Sequence, residues 1–295
     1  MDNSVAVSEK PQKKLKKQSN VVLVFKRLLQ NKLAVISLAV ILVLLLLSFI
    51  VPLFIDPEKM GAISTYNQAP SSKHIFGTDG MGRDYFARVI VGTRYSLALG
   101  FVASVGTAVL GTLLGTVIGY FGGKVDGFFM RVCDVWQAIP GQLLAIIIAL
   151  ALNGGFWPTV LAMSIGGIPM SIRSTRAMCL KERSMEYLEA AQSYNCSKAK
   201  IMFKHMLPNI ISPTIVGTTM SMGGTIMGAA GLSYIGLGIG ADLPEWGAML
   251  SAAQKNFLTS PHLLIFPAIM ILIVVLAINI FGDGLRDAMD PKLKK

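Results

Sequence analysis

A run of 23 residues, Leu33–Ile55, contains no charged side chain. As a helix rising about 1.5 Å per residue it reaches about 35 Å, enough to cross a bilayer core about 30 Å thick. A lipid-buried backbone must satisfy its own N–H and C=O groups, and 23 residues far exceed a membrane strand of about ten, so the run reads as a helix. It is too long and too far from the start for a cleavable secretory leader, and reads as an uncleaved first transmembrane helix. Five further apolar runs follow, at Tyr95–Phe121, Phe128–Leu152, Phe156–Ile172, Ile210–Leu237 and Leu263–Phe281. The third carries Arg131 and Asp134 near its start and Pro140 within, so its buried part is expected to be shorter than the run. The expected fold class is an all-α membrane protein with six transmembrane helices.

Charge gives the orientation. Only 15% of residues are charged and 53% are hydrophobic, against about 25% charged in a soluble domain. The formal net charge of +11 raises nucleic acid as a partner, but the lysines and arginines flank apolar runs and form no nucleic-acid-reading motif. No nucleic acid is expected; a lipid bilayer is. With the N-terminus inside, 21 of the 27 Lys and Arg residues fall in cytoplasmic segments and 6 outside, as the positive-inside rule requires. Both termini are then cytoplasmic. The chain divides into a basic cytoplasmic tail (1–32), the first helix (33–55), an extracytoplasmic loop (56–93), a core (94–283) with a cytoplasmic loop at about 173–209, and a cytoplasmic tail (284–295). The end of the basic tail, Val21–Gln30, can form a short amphipathic helix on the membrane surface.

Glycines recur at helical spacing. Gly111, Gly115 and Gly119 lie on one face of the second span, and Gly224 and Gly228 repeat the pattern in the fifth. Such faces let another helix approach closely. Pro169, Pro213 and Pro267 fall inside spans, where proline can kink a helix. Cys133, Cys179 and Cys196 form no CxxC pair, and His74, His205 and His262 have no ligand spacing, so no metal site is expected.

The most informative segment joins the fourth and fifth spans. Tyr187, Leu188, Ala191 and Tyr194 fall on one helical stripe, with Glu182, Glu186 and Glu189 largely to its side. A short amphipathic helix outside the membrane needs something to bury its stripe. The string Glu189-Ala-Ala-Gln-Ser-Tyr-Asn195, followed by Ile201-Met-Phe-Lys-His-Met-Leu-Pro-Asn209, resembles the Glu-Ala-Ala loop of ABC importer permeases. The resemblance implies that Glu186, Tyr187, Glu189, Ala190, Ala191, Asn195, Leu207 and Pro208 belong to a coupling helix that docks into a cleft of a cytoplasmic ATPase. Asn195 stands where the family has glycine; asparagine is the next residue to tolerate a left-handed turn.

Other strings narrow the family. His74-Ile-Phe-Gly-Thr-Asp-Gly-Met-Gly-Arg-Asp84, with Gly77, Thr78, Asp79, Gly82, Arg83 and Asp84, resembles the signature that follows the first helix in C-type permease subunits of peptide and nickel importers. Ile75 stands where proline is usual. Pro244, Glu245, Trp246 and Gly247 before the last helix, and the ending Gly282-Asp-Gly-Leu-Arg-Asp-Ala-Met-Asp-Pro291, resemble the same group. The resemblance implies the type I ABC importer permease fold and a dipeptide or oligopeptide substrate. It also implies a second, B-type permease subunit, two ATPases and an extracytoplasmic substrate-binding protein as partners. A nickel, metallophore or opine importer shares the same motifs; Asp242 and Glu245 would then be the acids available to a cationic substrate at the outer mouth.

A P-loop requires Gly-x4-Gly-Lys-Ser/Thr. The only Gly-Lys pair is Gly123-Lys124, with Ile118 and Val125 at the other two positions. No catalytic residues are expected, and ATP and magnesium belong to the partner ATPases, with no cofactor on this chain. A secondary transporter would carry ionisable groups near mid-membrane, where these spans are nearly free of charge. A membrane receptor or scaffold on the same fold is the remaining class.

Overall fold

The computed structural model describes residues 20–54, 66–240 and 242–290. The lysine run of the basic tail, the first part of the outer loop and the last five residues lie outside the described residues. The described chain forms α1 (Asn20–Gln30), α2 (Lys32–Phe54), α3 (Tyr85–Phe121), α4 (Gly123–Gln137), α5 (Gly141–Ala151), α6 (Phe156–Arg183), α7 (Glu186–Ser193), α8 (Leu207–Tyr234), α9 (Trp246–Ala253) and α10 (His262–Met289). A three-residue turn of helix, Lys198–Lys200, and a π-helical segment, Ile201–Met206, lead into α8.

Three of these helices, α2, α3 and α10, are long and apolar enough to cross a membrane, or four segments if α4 and α5 count as one broken span. The third run of the sequence is thus not one straight helix. Pro140 has no N–H to donate and disfavours a helical residue before it, and α4 and α5 meet there at a bend of 78°. α5 alone spans about 16 Å. α4 carries the charges: Asp126 pairs with Arg176 and Asp134 with Arg173, both on α6.

Other boundaries move outward. α3 begins at Tyr85, ten residues before the apolar run, because the Asp84 carboxylate caps it by accepting from the Ala87 N–H at 2.9 Å. α6 continues past Ile172 to Arg183, where Lys181 and Arg183 suit the negative end of the helix dipole. α8 stops at Tyr234, and Gly236 then takes φ +83°. α10 runs past Phe281 to Met289. α6 and α8 have 28 residues each, long enough for a bilayer, but glycine, serine, threonine and proline dilute their hydrophobicity.

α3 is the axis of the bundle, packed along α6 and also against α2 and α8. The glycine ladder lies in its long interface with α6. A Cβ on Gly111 would collide with Ser171, one on Gly115 would lie 2.7 Å from Thr175 Cβ, and one on Gly119 would lie 2.6 Å from Cys179 Cβ. The ladder on α3 therefore meets a second ladder of small residues, one turn apart, on α6. Gly224 and Gly228 differ from the sequence expectation. A Cβ at Gly224 meets nothing within 4 Å, and one at Gly228 meets only the flexible end of Met163. Gly224 leaves open space where a close helix contact was expected, whereas Gly228 makes room for the Met163 side chain of α6 and not for another backbone. α1 packs Val24 and Leu28 against Phe281, Leu285 and Ala288 of α10, leaving Val22, Phe25 and Leu29 exposed.

Candidate functional site

α7 stands between the ends of α6 and α8. Leu188 is buried and joins Cys179 of α6 with Ile201 and Met206 of the π-helical segment and Ile210 of α8, while Ala191 packs at the edge of this cluster. The stripe read from sequence is only partly used: Tyr194 is 86% exposed. Glu186, Glu189 and Ala190 are also exposed, and the two carboxylates sit in the first turn, where the helix dipole favours them.

The helix ends in a Schellman arrangement. The Cys196 N–H donates to the Ala191 carbonyl at 3.2 Å and the Asn195 N–H to Gln192 at 2.9 Å. Asn195 adopts φ +53°, the left-handed conformation that glycine would take without strain.

Tyr187 ties the three helices together. Its hydroxyl donates to Glu182 Oε2 of α6 at 2.5 Å and accepts from Asn209 Nδ2 of α8 at 2.7 Å. Partial burial, then the bond to Glu182, push the phenol up to about 12. Glu182 and Asn209 were not singled out by sequence reasoning, although Asn209 closes the Leu-Pro-Asn string. Pro208 cannot donate a backbone hydrogen bond, and the chain before it widens into the π segment, where the Leu207 N–H reaches back to Met202. Leu207 and Pro208 thus mark the joint at which α7's seat passes into α8.

Along α8, Thr214, Thr218 and Thr225 donate to the carbonyls four residues back, at 2.8, 2.8 and 3.1 Å. The hydroxyl hydrogens are used internally. The face they share with Gly217, Ser221, Gly224 and Gly231 is open: a Cβ on any of these three glycines meets nothing within 4 Å. A cavity of about 600 Å³ lies between α5, α6 and α8, lined by Gln142, Ser221, Gly224, Thr225 and Gly228 among others.

The other two motifs, at 74–84 and 244–247, meet at the opposite end of α3. Gly77 has φ +77°, and a Cβ there would collide with the Gln68 carbonyl. Thr78 Oγ1 accepts from the Gln68 N–H at 2.9 Å. Asp79 Oδ1 accepts from the N–H groups of Met81 and Arg83, and Oδ2 from Arg83 Nε at 2.8 Å. Gly82 takes φ +76°, and Asp84 caps α3 and pairs with His74 at 2.9 Å. Trp246 is fully buried and donates from Nε1 to the Val89 carbonyl of α3 at 2.9 Å. Pro244 is buried beside it, and Gly247 abuts Ala230, where a Cβ would lie 2.5 Å from the carbonyl oxygen.

Glu245 corrects the sequence reading. It is 2% exposed, and its carboxylate caps α9 by accepting from Gly247 and Ala248 at 2.8 and 2.9 Å. It is therefore not available to a cation at the outer mouth; Asp242 is exposed. From Val89 to Tyr120, which packs at the α7 cluster, α3 measures about 46 Å.

The described residues form a bundle with several helices long and apolar enough to cross a membrane, and a short helix, α7, held between the ends of α6 and α8. The comparisons give the class. Residues 111–295 match the family described as the binding-protein-dependent transport system inner membrane component, and residues 19–70 match the N-terminal transmembrane domain of oligopeptide transport permease C. The chain belongs to this family and is a permease subunit of an ABC importer in the cell membrane. It is 40% identical to the glutathione transport system permease protein GsiD of Pectobacterium atrosepticum, over 92% of this chain and 90% of that one. It is 39% identical to the dipeptide transport system permease protein DppC of Alkalihalophilus pseudofirmus, over 92% and 89%. An inward-facing structure of the MetNI methionine ABC transporter shares the fold, with a TM-score of 0.57 at 16% identity, covering 68% of this chain and 96% of that chain.

Proposed function

We propose that this chain is the C-type permease of a peptide importer, forming half of the translocation path for di- or oligopeptides. The observation that carries the reading is its identity of about two fifths with glutathione and dipeptide permeases over nine tenths of its length. In this reading α2, α3, the broken α4–α5 pair, α6, α8 and α10 make six crossings with both termini cytoplasmic. The open face of α8 borders the path, against a homologous second permease. α7 docks into one of two separate ATPases, and Tyr187 passes its displacement to α6 and α8. The exposed Glu189 and Ala190, together with the buried Leu188, support that role: one side of α7 is anchored and the other is presented. The outer cap built from Asp79, Arg83, Asp84 and Trp246 faces the extracytoplasmic binding protein. The test is uptake of labelled dipeptide and glutathione by cells with and without this chain, with nickel in parallel. Loss of peptide uptake alone supports the reading; loss of nickel uptake alone overturns the substrate while leaving the fold and family untouched.

A further inference from the structure

We propose that Gln142 selects for the peptide backbone, its side-chain amide hydrogen-bonding the substrate in the cavity between α5, α6 and α8; the inference rests on the peptide reading above. That cavity measures about 600 Å³, a size that accommodates a small peptide. In the six-crossing reading it lies at mid-membrane: Ser221, on its wall, is about 20 Å along α8 from either end of that helix. Among the described residues, no side chain lining it carries a charge.

The polar side chains on the wall are Gln142, Ser221 and Thr225. Two of them already use their hydrogens. Ser221 Oγ donates to the Thr218 carbonyl at 2.9 Å, and Thr225 Oγ1 to the Ser221 carbonyl at 3.1 Å. Gln142 is different: it is exposed, and among the described residues its amide has no hydrogen-bond partner. Lipid offers an amide no hydrogen bond, and a polar group left so is costly at that depth. The amide therefore faces water or a polar occupant.

A primary amide carries two donors and an acceptor, the chemistry of the peptide group itself. It can donate to a substrate carbonyl and accept from a substrate N–H. With no charge on the wall, neither the termini of a peptide nor its charged side chains gain a fixed counter-ion from this cavity. What remains to be read is the backbone that all peptides share. The α8 wall suits a backbone: at Gly224 and Gly231 a Cβ would meet nothing within 4 Å, so no side chain there holds a substrate away from Gln142.

The experiment uses the assembled importer in proteoliposomes with its binding protein. An equimolar mixture of a labelled dipeptide and its depsipeptide, in which an ester oxygen replaces the peptide N–H, is supplied at a concentration that saturates the binding protein. Gln142→Met keeps the length of the side chain and removes its amide. It should lower the uptake ratio of dipeptide to depsipeptide at least about threefold, because the variant and the ester remove the same hydrogen bond. The preference of the binding protein is common to wild type and variant and cancels. An unchanged ratio, at whatever overall rate, would overturn the proposal by leaving Gln142 a purely structural residue. Thiol labelling locates the side chain independently. In a Cys196→Ser background, where Cys133 and Cys179 are buried, Gln142→Cys should react with a charged, membrane-impermeant thiol reagent, which requires a thiolate in water. No labelling of this chain, at rest or during turnover, would overturn the proposal by placing residue 142 against lipid or the second permease. Uptake of neither substrate by the wild type would overturn the peptide reading, and with it the ligand named for Gln142; labelling at position 142 would survive that failure and so tells the two apart.

Discussion

Asn195 closes α7 at φ +53°, where an ordinary L-residue loses about 1 kcal/mol. Asn195→Ala should therefore lower the thermal midpoint of the purified complex, whereas Asn195→Gly should be neutral or slightly stabilising. Reversing that order would show that the asparagine side chain, and not its backbone, closes the helix. Tyr187 offers a second test at this scale. Its phenol titrates near 10 in an unfolded chain and at about 12 here. The folded state keeps a proton that the unfolded state releases, so this contribution is complete below about pH 10 and is lost as pH rises through about 12. Tyr187→Phe should remove one late-titrating tyrosine from the tyrosinate absorbance curve. It should also weaken the coupling of α7 to α6 and α8, read as ATP hydrolysed per peptide transported. An unchanged ratio would show that the Glu182–Tyr187–Asn209 bridge is incidental.

Among the elements, the two glycine patterns make the clearest contrast. Gly115 faces the backbone of α6, where a Cβ would lie 2.8 Å from the Ile172 carbonyl, so Gly115→Leu should cost about 1–3 kcal/mol of overpacking and reduce assembled protein. Gly224→Ala should assemble normally, since nothing stands within 4 Å and alanine favours a helix. Quantitative recovery of the membrane-inserted complex checks both. The i, i+4 spacing identifies a face but not what lies opposite it, which is why the same pattern was legible as a face in both helices and as a packing surface in only one. The apolar runs were legible because lipid imposes a length and a composition. Their ends were not, because Asp84 and the π segment before Pro208 act through backbone hydrogen bonds that hydropathy does not register. Glu245 shows the same limit: an acid in a polar outer loop looked solvated, but the N–H groups of Gly247 and Ala248 draw it inside.

At the scale of the molecule, α3 separates the outer cap from α7 by about 46 Å, so any coupling between them must travel as motion of long helices. α7 is suited to drive such motion because it is anchored on one side only. That division sharpens the docking test. Ala191 packs against the cluster of Leu188, Ile201 and Met206, so bulk there would unseat α7 from its own chain and reveal nothing about a partner. Ala190 and Glu189 are exposed. Ala190→Trp should leave insertion and the permease pair intact but prevent the ATPases from co-purifying. Glu189→Lys, which reverses a charge in the first turn, should lower uptake at least about tenfold, the loss expected for a charge-assisted contact. Protein in the membrane, by quantitative blot, should match the wild type in both cases. Normal uptake in both variants would mean that the ATPase does not dock on this face of α7. Loss of insertion would mean that α7 is a folding element before it is a coupling one. Lost uptake with full insertion is the outcome expected if α7's anchored side supports its own chain and its exposed side meets the motor.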